Sequence, residues 1–157
     1  MVEKSNKDAE KMYKKAQGDL KTGLFKWSAN HGEGMLHFEQ AAKLFKEADN
    51  DARAIDAYLK ASECAEKCDE TLLCAENLAS AGQLEDDGEK ALGYLVKANN
   101  FFKISGNMNR GTTLMKSLGL QLASGDTAAD RKQAGIIFKH LLEKECYKSE
   151  INYAMNG

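Results

Sequence analysis

Catalysis or metal binding in this chain would have to begin from three histidines, four cysteines and one compact acidic cluster. Cys64 and Cys68 stand four apart, a spacing that turns both thiols toward one side of a helix. No Cys-x-x-Cys pair and no neighbouring histidine completes a zinc ligand set, however, so Cys64, Cys68, Cys74 and Cys146 read as small buried hydrophobes. His31, His37 and His140 are scattered, with no His-Glu-x-x-His and no Gly-x-Ser-x-Gly to anchor a metal or a nucleophile. Gly32-Glu33-Gly34 does not open a dinucleotide loop, because His37 occupies the place of the third glycine. Glu85-Asp86-Asp87 lacks the glycine and distal glutamate of a calcium loop and reads as a solvated turn that caps the helix after it. No catalytic constellation is present. The expectation is a binding protein without metal or cofactor, and not an enzyme.

The chemistry that remains is that of surfaces. Thr22 to Ser28 should be a polar connection between two helices, yet it carries Leu24, Phe25 and Trp27 around Lys26. Two readings fit: the three side chains tuck back under the first helix pair, or they form an exposed apolar tip that meets a membrane or a partner. Met1 to His31 also holds seven lysines against four acidic residues, in a chain whose net charge is -2. Lys4, Lys7, Lys11, Lys14 and Lys15 share one face of the first helix, opposite its stripe of Met12, Tyr13 and Leu20. An apolar tip beside a basic face is the pairing that peripheral membrane binding uses, although lysine-rich helix exteriors are also common. The weakly acidic chain, with a pI near 6.0, gives no footprint for non-specific nucleic-acid binding.

These residues have to be placed by helices. The chain has no proline and is rich in Ala, Leu, Lys and Glu, and its apolar residues recur at helical spacing in seven segments separated by short Gly-, Asn- and Asp-bearing breaks. The segments run from about Ser5 to Leu20, Gly34 to Ala48, Asp51 to Ala65, Asp69 to Ala81, Asp87 to Ile104, Asn109 to Ala123 and Ala129 to Lys144. A partial eighth begins near Lys148. Ser5 with Asp8 resembles a capping box, Asp51 is a plausible N-cap, and Gly82, Gly106 and Gly125 are read as helix stops. With 43% hydrophobic residues and no apolar run of about 20 residues, a packed core is expected and a membrane span is not. The polar start does not resemble a signal sequence, so a cytoplasmic protein is expected.

Three segments align with one another. They are Ala52 to Ala61, Glu89 to Ala98 and Lys132 to Leu141, each with an Ala followed four residues later by a bulky side chain (Ala54 and Tyr58, Ala91 and Leu95, Ala134 and Phe138). The starts lie 37 and 43 residues apart, near the two-helix repeat of about 34 but drifting from it. A helix pair of this kind cannot bury its apolar face alone, so neighbours stack. The expected fold is all-α, a tetratricopeptide-like right-handed solenoid of antiparallel helix pairs, with residues 1–157 as one domain.

Asp19-Leu-Lys-Thr-Gly-Leu-Phe-Lys-Trp27 followed by Phe38-Glu-Gln-Ala-Ala-Lys-Leu-Phe-Lys-Glu-Ala48 resembles the N-terminus of soluble NSF attachment proteins, most closely the gamma type. Ala54-Ile-Asp-Ala-Tyr-Leu-Lys-Ala61 matches in order and spacing, while from about Cys64 onward the likeness lies in helix pattern. The resemblance implies an adaptor that coats a SNARE helical bundle through one face of its array and helps recruit the NSF ATPase, which disassembles the bundle. It further implies that Leu24, Phe25, Lys26 and Trp27 form a membrane-attachment loop, and that the protein is peripheral on membranes. Since family chains extend further, the sequence is expected to be the N-terminal part of a longer array. The alternative is a generic tetratricopeptide-like scaffold that holds a protein tail in its groove.

Overall fold

The computed structural model describes the backbone of residues 2–22 and 29–156, and the side chains of residues 5–22 and 29–144. The described chain forms seven helices and no strand: α1 (Val2–Leu20), α2 (His31–Glu47), α3 (Asp51–Lys67), α4 (Thr71–Leu84), α5 (Gly88–Ile104), α6 (Arg110–Ala123) and α7 (Ala128–Asn156). Each packs on the next. The direction of packing follows from which residues touch. Gly34 of α2 lies against Leu20 at the end of α1 and Cys64 near the end of α3, Gly82 against Leu95, Gly111 against Asn99, and Gly119 against Phe138. Sequence numbers rise on one helix as they fall on its neighbour, so successive helices are antiparallel. The even helices then stand side by side: Asn77 of α4 donates to Glu39 of α2 at 2.7 Å, and Arg110 of α6 meets Glu76 of α4 at 2.7 Å. The result is a tetratricopeptide-like helical solenoid.

Alanines make the close packing possible. Ala9, Ala16, Ala41, Ala42, Ala54, Ala57, Ala61 and Ala65 are all fully buried around Phe38 and Phe45, forming a core that runs from α1 into α5. A second cluster, Leu95, Met115, Leu118, Ile137 and Leu141, joins α5 to α6 and α7. The repeat alanines Ala54, Ala91 and Ala134 sit at these seams, as their spacing predicts.

The helix ends are where local chemistry differs from expectation. Helix α2 ends through Asp49 at φ 54° and α3 through Asp69 at φ 58°, both left-handed, as α5 ends through Gly106 at φ 85°. All three share one hydrogen-bond pattern: Asn50 N to Phe45 O at 2.9 Å, Glu70 N to Ala65 O at 2.9 Å, and Asn107 N to Phe102 O at 2.7 Å. This is the six-to-one closure of a Schellman turn, with aspartate twice taking the left-handed place that glycine usually holds. Asn50 then serves α3 as well. Its side chain accepts from Arg53 N at 3.4 Å, so Asn50, rather than Asp51, is the N-cap. Ser5 does not cap α1, which starts before it; its hydroxyl donates to Leu44 O across the α1–α2 seam at 3.3 Å. Gly82 is no helix stop either. It lies inside α4, where a Cβ would come within 2.9 Å of Leu95, so glycine is there to let α5 approach. The eighth segment is a continuation of α7, because neither glycine nor proline interrupts residues 144–148.

Candidate functional site

The site is built on α1. Its buried stripe, Ala9, Tyr13 and Ala16, seats the helix against α2 and α3. Tyr13 meets Phe38 edge-on at 5.1 Å between ring centroids and Phe45 at 6.2 Å. The Arg53 guanidinium of α3 covers both rings, 4.3 Å from the Tyr13 centroid and 4.9 Å from that of Phe45, and its Nη2 donates to both Glu10 carboxylate oxygens at 2.8 and 2.9 Å. The Tyr13 hydroxyl donates to the Asp56 carboxylate. Burial first, and then the hydrogen bond to Asp56 and its charge, push the Tyr13 phenol up to about 12. Asn50 Nδ2 adds a bond to Asn6 Oδ1 at 3.1 Å. One aromatic and polar clamp therefore fixes how α1 is rotated about its axis.

That rotation decides what faces outward. Lys7, Lys11, Lys14 and Lys15 are exposed, within an arc of about 100° at 100° per residue, on the side away from Tyr13. Asn6, Lys7, Glu10, Lys11 and Lys14 line a shallow groove along this face. The acidic residues nearby are partly withdrawn from it. Glu10 is held by Arg53, and Asp19 Oδ2 lies 2.6 Å from Nδ1 of His37 on α2. Local sequence counts cancel these two carboxylates against the lysines; the fold instead spends them on contacts between helices, while Asp8 stays exposed on α1.

The C-terminal end of α1, about 8 Å beyond Lys15 at 1.5 Å per residue, leads into the connection to α2. Asn30 N donates to Asp19 O at 2.9 Å, and the Asn30 side chain accepts from Glu33 N at 3.1 Å, capping α2. With Leu20 against Gly34 and Asp19 against His37, the two ends of the connection are pinned together beside Lys21, which is exposed. Leu24, Phe25, Lys26 and Trp27 themselves lie outside the described residues, as does the side chain of Lys4.

The other sequence candidates resolve differently. Cys64 and Cys74 are buried, as read from the sequence; Cys68 is exposed, because it caps α3 rather than lying on its inner face. Burial pushes the Cys64 thiol up to about 11, and raises that of Cys74. No group of three metal-ligating side chains occurs among the described residues. Asp87 caps α5 by accepting from Glu89 N and Lys90 N, both at 3.1 Å. The described helices include none long and apolar enough to cross a membrane.

The stacked helical array agrees with a comparison of the whole chain. The family model described as "Soluble NSF attachment protein, SNAP" matches residues 3–149. The chain belongs to the SNAP family. No curated protein sequence matches it closely enough to narrow that assignment. The SNAP match spans α1 to most of α7, so it covers the clamp, the lysine face and the later helices alike. Arg53, Asp56, Asn50 and the Asp19–His37 pair carried no local signal in the sequence, since their partners stand 18 to 44 residues away.

Proposed function

We infer that this chain is an adaptor of vesicle fusion, of the gamma type within its family. It binds a SNARE helical bundle through one face of the helical array, touches the membrane peripherally from the cytoplasmic side, and helps recruit the NSF ATPase for SNARE disassembly. Membrane contact falls to Leu24, Phe25, Lys26 and Trp27 together with the lysines of α1, namely Lys4, Lys7, Lys11, Lys14 and Lys15. The observation that carries this reading is the pairing of Glu10 with Arg53 and of Asp19 with His37, which commits two acids of α1 to contacts between helices, with Lys14, Lys15 and Lys21 exposed toward the apolar connection. Each lysine near an anionic surface contributes about 1 kcal/mol. Burying Leu24, Phe25 and Trp27 contributes at most roughly 1.5 to 3 kcal/mol each, and less at the depth of the interface. The lysine part is screened by salt and the apolar part is not.

Co-sedimentation with anionic vesicles tests the membrane part, comparing the wild type with Phe25→Ser/Trp27→Ser and with Lys11→Glu/Lys14→Glu. Both variants should lose binding at unchanged melting temperature, and only the contribution lost in the lysine variant should depend on salt. If the Phe25→Ser/Trp27→Ser protein sediments like the wild type, the connection is no anchor. If it melts many degrees lower, its aromatic side chains belong to the core.

A further inference from the structure

Lys7, Lys11 and Lys14 form a ladder along α1. At 100° and 1.5 Å per residue they fall within an arc of about 60° and over about 10 Å of helix length, so each lysine stands about one turn from the next. All three are exposed, and with Asn6 and Glu10 they line one shallow groove. Both oxygens of the Glu10 carboxylate are held by Arg53, and exposed Asp8 lies about 60° outside the arc. Like charges one turn apart on a helix repel each other and cost stability. Lys11 and Lys14 form no ion pair among the described residues that would offset this repulsion.

What matches such a ladder is one ligand of equal charge density. In a bilayer whose lipids are mostly zwitterionic, singly charged headgroups lie farther apart than lysines one turn apart, and each offers one charge to one lysine. A phosphoinositide carries several phosphates on one ring. One headgroup can therefore meet two or three rungs at once, and each phosphate after the first binds within a complex already formed. The ammonium group of lysine, a compact charge on a flexible stem, adapts to phosphates clustered in this way. Those phosphates also project from the bilayer surface, toward rungs that lie between about 9 and 20 Å before the end of α1.

We propose that the lysine ladder of α1 recognises the multiply phosphorylated headgroup of a phosphoinositide, in preference to singly charged anionic lipid. This rests on the membrane-adaptor reading above and names the lipid that the basic face takes. A headgroup site distinguishes one membrane from another, which an apolar anchor cannot do because every bilayer has the same kind of interior.

The test is co-sedimentation with two kinds of phosphatidylcholine vesicle matched in total headgroup charge, one containing phosphatidylserine and the other phosphatidylinositol bisphosphate. The wild type should bind the phosphoinositide vesicles about tenfold more tightly. Lys11→Gln/Lys14→Gln should bind both kinds alike, at an unchanged melting temperature. Lys132→Gln/Lys139→Gln, which removes the same charge from two exposed lysines of α7, should keep the preference. Soluble inositol trisphosphate should displace the wild type from phosphoinositide vesicles, and inorganic phosphate at the same concentration should not. Equal wild-type binding to the two kinds of vesicle, or a preference that survives in Lys11→Gln/Lys14→Gln, overturns the headgroup site and leaves the membrane reading standing. Loss of the preference in both lysine variants, or equal displacement by inorganic phosphate, shows that total charge alone is read, and the proposal is wrong. If inositol trisphosphate binds but neither kind of vesicle does, the ligand is a soluble anion and both readings fall.

Discussion

Replacing Arg53 by Met should weaken membrane binding through a residue that stands on the third helix. Arg53 is 35% exposed, lies over the Tyr13 and Phe45 rings and holds both oxygens of Glu10. Each cation–π contact contributes about 0.5 to 1 kcal/mol, and an ion pair this accessible to water about 0.5 to 1 kcal/mol. Arg53→Met keeps part of the apolar stem, so the expected loss of stability is about 2 kcal/mol, or about 4 to 8 °C in melting temperature. The functional effect is separate. Without its partner, the Glu10 carboxylate in the groove it shares with Lys7, Lys11 and Lys14 is no longer neutralised, and one negative charge there offsets about 1 kcal/mol of attraction to anionic lipid, about fivefold in binding. Glu10→Gln should restore most of that binding to the Arg53→Met protein while leaving its stability low, because the missing cation–π contacts are not replaced. Vesicle co-sedimentation and thermal melts on the two single variants and the double variant form the cycle. A double variant that binds lipid as weakly as Arg53→Met, or an Arg53→Met protein that binds as well as the wild type, would show that Arg53 does not act on lipid binding through Glu10.

Thiol labelling at pH 8 should separate the cysteines in a Cys146→Ser background. Exposed Cys68 should react quickly, and Cys64, with its thiol at about 11, should hold only about one thiolate in a thousand and react on the timescale of unfolding; equal rates in the folded protein would contradict the burial. Asn50→Ala should cost about 1 to 2 kcal/mol in urea denaturation, since one side chain caps α3 and bonds Asn6 of α1. A change under about 0.3 kcal/mol would show that the junction does not depend on that side chain.

The helices were legible because their apolar period is strong, and the seams were legible because alanine recurs four residues before a bulky side chain. What the sequence hid has particular causes. Asp49 and Asp69 end helices in a conformation more often taken by glycine, so the α2 and α3 stops carry no glycine signal. Gly82 gave a false stop because close approach to Leu95 and helix termination ask for the same residue. The lysine face could be read from spacing alone, since all its members share one helix. The clamp and the Asp19–His37 pair could not, because they join residues whose nearness is a product of stacking. Two of the four acids counted locally against the lysines, Glu10 and Asp19, are in fact committed across the seams.

The adaptor reading is tested most directly by capture of an assembled SNARE four-helix bundle on this chain in solution, beside the same SNARE segments unassembled. The bundle should be retained, less so as salt rises, with little retention of the separate segments. Equal capture of both, or capture of neither, would contradict it.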